Sequence, residues 1–441
     1  MSASNQFKLL TERRFAPFFA TQFLGAFNDN VFRNALIIVI TFQGITVFDL
    51  NASQLANVAG ALFILPFFIF SATAGQLADK YEKSGLMRIV KTIEIALMLL
   101  AAYAFVRDLY ELLFLVLFLM GFQSTLFGPV KYAYLPQKLD NNELMGGNGL
   151  VEAGTYLAII FGLVVGDLAV ARDPDNLYFL SACLVAFATA GYFASRAVPH
   201  TPPVDPDLVI SWNVWRQTGQ IVGFARKDRS VFLAIVGISW FWFLGSAITL
   251  QIPAYTLDIL NGNQAINVVL LIAFSIGVGI GSLLCERLSG HRIELGLVPL
   301  GSIGLTVFAI DLYFAQPEMN IEAVTTAGEL FARAGSLRVL IDLAMIGAFG
   351  GIYSVPLYAM VQERAARQHL SRVIAANNIV NSLFIVMAAM LALVSLNAGL
   401  TIPEFFVVVG VLNALFAVCL YAAVPEFVQS FKSWIRNPLS R

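Results

Sequence analysis

The chain has 441 residues, 58% of them hydrophobic and only 12% charged, and its formal net charge is -1. A soluble globular protein carries about 25% charged residues, so composition excludes an ordinary water-soluble fold, and the near-neutral balance excludes a nucleic-acid binder. The cysteines, Cys183, Cys285 and Cys419, are far apart and show no metal or redox spacing, so they read as small buried hydrophobes, with no metal or cofactor expected.

Lys8, Arg13 and Arg14 precede the first apolar stretch, near 15–41. It is longer than a signal-peptide core and no small-residue cleavage site follows, so it is expected to stay in the protein. A stretch of this length crosses a bilayer as a helix. Inside it, Asp29 and Arg33 stand four residues apart, flanked by Asn28, Asn30 and Asn34. A charged group at that depth costs at least about 2.5 kcal/mol on insertion scales, so such groups face an interior and pair. The spacing puts Asp29, Arg33 and Gln22 on one helical face. The polar seam points to transport; the plainer alternative is an ion pair that only fixes helix packing.

After the second span (55–77) comes GQLADKYEK, Gly75 to Lys83. Gly75 permits close helix approach. Asp79 can meet a neighbouring helix N-terminus, where backbone amides favour an anion, and Lys80 and Lys83 hold the loop inside. This run resembles the loop signature of the major facilitator superfamily, with Glu82 in place of that family's second glycine. The resemblance implies twelve helices in two bundles, alternating access, and gating by Gly75, Asp79 and Lys80.

Further spans fall near 87–106, 109–129, 146–170 and 177–198, then 231–256, 266–285, 295–315, 338–361, 373–396 and 403–424. Lys91 and Glu94 lie three apart in the third span, with Lys91 expected to snorkel to the inner face. Lys131 follows Gly128-Pro129 in the fourth. Glu152 lies about two turns into the fifth, and Asp167 near its outer end. The connector 199–230 is proline-rich, then carries Trp212, Trp215 and Ile221 beside Arg216, Arg226 and Lys227, the pattern of a short helix on the inner surface. Its His200 and Asp205 share the H-x4-D spacing of glycerolipid acyltransferases, but no enzyme domain surrounds them. Trp240 to Phe243 form an aromatic run in the seventh span. Deep polar groups in the second half are mostly neutral: Gln251, Asn377, Asn378 and Asn381. Arg338 and Asp342 repeat the i, i+4 pairing. The outside loop near 316–337, with Glu318, Glu322 and Glu329, is a candidate cap for the outer mouth.

With the N-terminus inside, inside segments hold 22 of the 27 Lys and Arg, and Arg33 lies within the membrane. This asymmetry places both termini on the cytoplasmic side. The fold class expected is therefore all-α integral membrane. It comprises twelve transmembrane helices in two pseudo-symmetric six-helix bundles, residues 1–198 and 231–441, joined by 199–230. GFQSTLFGPVKYAY (121–134) echoes GAFGGIYSVPLYAM (347–360), and Asn148 with Glu152 recurs as Asn377 with Asn381, as in transporters built from internal repeats. No GxxxxGK[ST] loop is present, which argues against direct ATP drive.

Five blocks carry a narrower resemblance: QFLGAFNDNVFRNAL (22–36), FGPVKYAYLPQ (127–137), NGLVEAGTYLAII (148–160), SWFWFLGS (239–246) and IAANNIVNSLF (374–384). Together they are similar to the lysophospholipid transporter family. The resemblance implies a non-enzymatic secondary transporter, a flippase that moves lysophospholipids across the bacterial inner membrane for reacylation. Lysophosphatidylethanolamine or lysophosphatidylglycerol would be the cargo, among the surrounding membrane lipids. Some relatives are fused to an acyltransferase and an acyl-carrier-protein synthetase; this chain ends at Arg441, so such a partner is expected to be separate. A zwitterionic head group needs a cation for phosphate, with Arg33 and Lys131 as candidates. It needs an anion for the amine, with Asp29 and Glu152 as candidates. Asn30, Trp240, Asn377 and Asn381 complete the substrate-binding set. Two alternatives use the same parts: an ion-coupled exporter of drugs or other amphiphiles, and a non-transporting anchor for an acyltransferase.

Overall fold

The computed structural model describes residues 5–42, 50, 52–174, 176–315 and 323–436. Among these, twelve helices are long and apolar enough to cross a membrane, in agreement with the twelve spans expected, and no strand forms; one isolated bridge joins Gly262 and Val324. In chain order the helices begin with α1 (Ala16–Phe42), α2 (Ala52–Lys80), α3 (Lys83–Val106), α4 (Tyr110–Lys138), α5 (Leu144–Arg172) and α6 (Tyr178–Arg196). They continue with α7 (Val214–Lys227), α8 (Arg229–Thr249), α9 (Ile252–Asp258), α10 (Gln264–Ser289) and α11 (Leu297–Phe314). The last are α12 (Ala327–Ala332), α13 (Ser336–Arg364), α14 (Leu370–Asn397), α15 (Ile402–Ala423) and α16 (Glu426–Arg436).

The chain gathers into two compact units. The first comprises Met1–Leu139, Ala158–Asp228 and Ala365–Ser382, the second Asp140–Leu157, Arg229–Arg364 and Leu383–Arg441. In the first, α3 packs against α4 and α6, α2 against α4, and α1 against α6. Its apolar core includes Phe27, Phe32, Leu97, Phe105, Leu117 and Leu184. In the second, α13 packs against α8, α10 and α11, and α11 against α15. Lipid offers no hydrophobic drive between helices, so close packing of small residues takes its place. A Cβ built on Gly277 or Gly281 would strike the carbonyl oxygens of Ala344 or Ala348 across the α10–α13 contact. A Gly281→Leu variant should therefore lose at least about 1–3 kcal/mol from overpacking. Thermal unfolding in detergent would read this as a clearly lower Tm than wild type, and an unchanged Tm would contradict the close contact.

The seventh span, expected near 231–256, is found over Arg229–Asp258, with its helix interrupted. Rather than one helix over 231–256, α8 ends at Thr249 and α9 restarts at Ile252, with Pro253 in its first turn. Proline lacks the N–H and its ring clashes with the carbonyl four residues earlier, which breaks a helix there. The connector carries a helix, α7, packed on α2. Ile221 and Ala225 are buried, while Trp212 and Trp215 are exposed. Of the outer-loop glutamates, Glu329 caps α12 in a reciprocal box with Thr326; Glu318 and Glu322, like Arg441, lie outside the described residues. Cys285 is buried as expected, but Cys183 is only partly so and Cys419 is exposed.

Candidate functional site

Asp29, Asn30, Arg33, Lys131, Asn377, Asn381, Gly75, Asp79 and Lys80 belong to the first compact unit, and Glu152 and Trp240 to the second. On α1, the Asp29–Arg33 ion pair that the spacing allows does not form among the described residues. Each charge turns to a neutral partner instead. Asp29 Oδ2 accepts from Ser124 Oγ at 2.8 Å. The Arg33 guanidinium donates to Asn30 Oδ1 at 2.9 Å and lies 5.9 Å from the Phe63 ring centroid. Asn30 in turn donates to the Ala26 carbonyl. Asn34 reaches from α1 to α5, donating to Leu163 O and Asp167 Oδ1, both at 2.9 Å. A purely structural Asp–Arg bond is thus not what holds this seam. The other Asp29 oxygen, Oδ1, is buried and meets no donor among the described residues.

Lys91 does not snorkel. It is buried to 1% exposure and donates to Glu94 at 2.6 Å, with Glu94 equally sealed. Glycines make the room: a Cβ on Gly25 would clash with the Lys91 ammonium, and one on Gly191 would touch its stem at 3.5 Å. Glu94 also accepts from Asn28 at 3.3 Å and Gln123 at 3.2 Å. Ser124 Oγ lies 3.2 Å from Gln123 Oε1. A continuous polar chain therefore runs from α3 through α4 to Asp29 on α1. The sequence shows its members but not their connection, because Gln123 and Ser124 look like ordinary polar residues in an apolar helix.

The loop signature is built around Asp79, which is fully buried. Its Oδ1 accepts from the Ser371 backbone N–H at 3.1 Å, in the first turn of α14, and its Oδ2 accepts from Arg372 Nε at 2.8 Å. This is the anion at a helix N-terminus that the motif leads one to expect. Nothing local in the sequence marks Arg372 as the partner of Asp79, which lies 293 residues away. Arg372 also donates to Asp205 Oδ2 at 3.0 Å, which engages the carboxylate of the H-x4-D spacing away from His200. A Cβ on Gly75 would come within 2.7 Å of the Ala375 side chain, so only glycine lets α2 and α14 approach this closely. The connector closes over the loop: the Asp79 carbonyl accepts from Val204 and Asp205, and Lys80 donates to Leu208 O at 2.8 Å.

Glu82, the departure from the family signature, caps α3. It accepts from the Ser84 and Gly85 N–H groups at 2.8 and 2.6 Å and from Thr201 N at 2.9 Å. Burial works to raise its pKa, but the bonds from Ser84, Thr201 and Gly85 outweigh it and hold the carboxyl down at about 2. A group with a lower folded than unfolded pKa adds stability above its unfolded value, and that contribution drains as pH falls through the folded one. Thermal unfolding of wild type should weaken between about pH 4.5 and 2 more steeply than that of Glu82→Gln. Parallel curves for the two proteins would exclude this role.

In the second unit, Asn148 and Gln362 exchange two amide hydrogen bonds at 2.6 and 3.0 Å one turn from Glu152, itself buried. Trp240 is held on both faces, stacked on Phe243 at 4.6 Å and Phe416 at 4.2 Å, and donates to Asn413 at 2.9 Å. Arg338 does not repeat the i, i+4 pairing. It forks onto Asp311 at 2.9 and 2.5 Å, because an interhelical fork offers two parallel bonds. In the first unit, Asn378 packs against Gly128, where a Cβ would sit 2.6 Å from its amide. The Lys131 ammonium lies 5.1 Å from the Tyr132 ring centroid. Among the described residues no cluster of His, Cys, Asp and Glu could hold a metal ion.

The family model of the Major Facilitator Superfamily matches residues 18–389. Lysophospholipid transporter LplT of Serratia proteamaculans is 25% identical over 362 residues, covering 80% of this chain and 81% of its own. The protein of the same name from Escherichia coli O157:H7 is 27% identical over 412 residues, covering 91% and 92%. Among solved structures, the transporter FucP in the outward conformation superposes with a TM-score of 0.68 at 13% identity, over 92% of this chain and 98% of that one. The human organic anion transporter MFSD10 gives 0.71 at 13% identity, over 92% and 99%. At such identities these structures speak for the fold alone.

Proposed function

The chain belongs to the major facilitator superfamily and is a multi-pass membrane transporter, and from that premise we propose that its cargo is a lysophospholipid, flipped across the bacterial inner membrane for reacylation by an acyltransferase. The observation that carries the reading is the similarity, over 80% and 91% of this chain, to two proteins named lysophospholipid transporters. We read the chain as two six-helix halves, 1–198 and 231–441, with both termini in the cytoplasm. Arg33, steadied by Asn30, takes the phosphate as a guanidinium fork suits it, with Lys131 as a second cation. Asp29 takes the amine through its unengaged Oδ1. Asn377 and Asn381 add neutral hydrogen bonds to the head group, and Trp240 offers an aromatic wall to the acyl chain. Gly75, Asp79 and Lys80 form the gate, with Arg372 as its counter-charge.

The test is uptake of labelled lysophosphatidylethanolamine into proteoliposomes, compared with empty vesicles. Uptake no faster than in empty vesicles would overturn the reading and favour an exporter of other amphiphiles. Glu152→Gln separates two roles for that carboxylate. As a partner of the amine, its loss should reduce transport of lysophosphatidylethanolamine more than that of lysophosphatidylglycerol, which has no amine. Equal transport of both lipids by a stable mutant with unchanged ion dependence would remove Glu152 from the site.

A further inference from the structure

We propose that the buried Lys91–Glu94 pair is a positioning device for the head-group site: through Gln123 and Ser124 it holds the Asp29 carboxylate in one orientation, with Oδ1 presented to the cargo. This rests on the reading of Asp29 as the partner of the amine. Two charges at 1% exposure each carry a desolvation penalty of several kcal/mol apiece, and an apolar pair of similar volume is often as stable or more so. A purely structural account therefore explains the pair poorly.

The connections give it a use. Glu94 accepts one bond from Asn28, immediately before Asp29 in α1, and one from the Gln123 amide. With its amide nitrogen committed to Glu94, Gln123 must turn its Oε1 the other way, toward Ser124 Oγ. The serine hydroxyl has a single proton. Its shorter contact is to Asp29 Oδ2 at 2.8 Å, against 3.2 Å to Gln123, and a carboxylate is the stronger acceptor, so the proton is shared in a three-centre bond, with Asp29 as the main acceptor and Gln123 Oε1 fixing the hydroxyl's direction from the other side. One carboxylate oxygen is thereby engaged. The other, Oδ1, is buried and meets no donor among the described residues, an arrangement that is expensive unless something else supplies a donor. An ammonium head group is such a donor.

The experiment compares wild type with Lys91→Met/Glu94→Met, which keeps volume and removes both charges together. A positioning role predicts a folded protein whose apparent affinity for lysophosphatidylethanolamine falls by at least about tenfold, the worth of one hydrogen bond to a charged group, while affinity for lysophosphatidylglycerol changes little. Equal losses for both lipids, or none, would overturn the proposal in favour of plain packing. Gln123→Leu cuts the chain midway with the ion pair intact, and it serves as the variant if the double substitution does not fold; it should show the same selective loss. A cargo-free readout separates this idea from the choice of substrate. The infrared carboxylate band of Asp29, assigned by its disappearance in Asp29→Asn, should shift in Gln123→Leu, which leaves the Ser124 proton wholly to Asp29, in the direction opposite to its shift in Ser124→Ala. A shift supports the positioning chain even if wild type moves no lysophospholipid. An unmoved band in Gln123→Leu refutes it whatever the cargo.

Discussion

Asp29→Ala and Arg33→Ala should each bring lysophosphatidylethanolamine uptake down to the level of empty vesicles while leaving a folded protein. The two side chains sit one turn apart on α1 but do not bond to each other, so neither substitution strips the other of a salt-bridge partner. Asp29→Ala frees the Ser124 hydroxyl, which still has Gln123 Oε1 within 3.2 Å. Arg33→Ala leaves Asn30 Oδ1 without its donor, a cost of about 1–3 kcal/mol for a buried acceptor, which a protein of this size survives. If both side chains grip one head group, the double mutant loses little beyond either single, since residues acting as a unit are not additive. Size-exclusion chromatography establishes folding and vesicle uptake establishes function. Wild-type uptake by both single mutants would take the pair out of the transport site.

Asp79→Asn should slow transport far more than it weakens binding. The asparagine keeps the shape but loses the charge that meets Arg372 and the Ser371 N–H. Arg372 retains Asp205, itself a third exposed, so a buried guanidinium is left partly uncompensated. Hydrogen bonds to charged groups contribute about 1.5–3 kcal/mol each. Where such contacts exist in one state of a transporter and not another, losing one shifts the balance of states by about tenfold or more. Cargo affinity, which the proposed site places at α1 rather than at this loop, should stay within about twofold, less than half a kcal/mol. Arg372→Ala, which removes the same bond from the other side, should reproduce the phenotype. Lost affinity with unchanged turnover would contradict the gate.

Hydropathy alone determined how many membrane-spanning helices this protein has and roughly where they lie, because the transfer of a 20-residue stretch into lipid is a sum over its own residues and needs no partner. The break after Thr249 was legible in principle, since Pro253 acts on its own helix. The Asp79 environment was half legible: the motif named the anion and the helix terminus that would meet it, yet Arg372, nearly 300 residues away, carries no local mark of the pairing. Partner choice was decided by tertiary structure. The i, i+4 rule pairs Asp29 with Arg33 and Arg338 with Asp342, and in neither case does that pair form among the described residues. Snorkelling would send the Lys91 amine outward, yet it turns in to Glu94. In each case the neighbouring helix offers a better-placed group, Ser124 for Asp29 and Asp311 for Arg338, or glycines at positions 25 and 191 open space where a charge can be sealed. A buried polar atom must be satisfied by whatever lies within about 3 Å in space, and that depends on how closely two helices approach, a distance no single segment encodes.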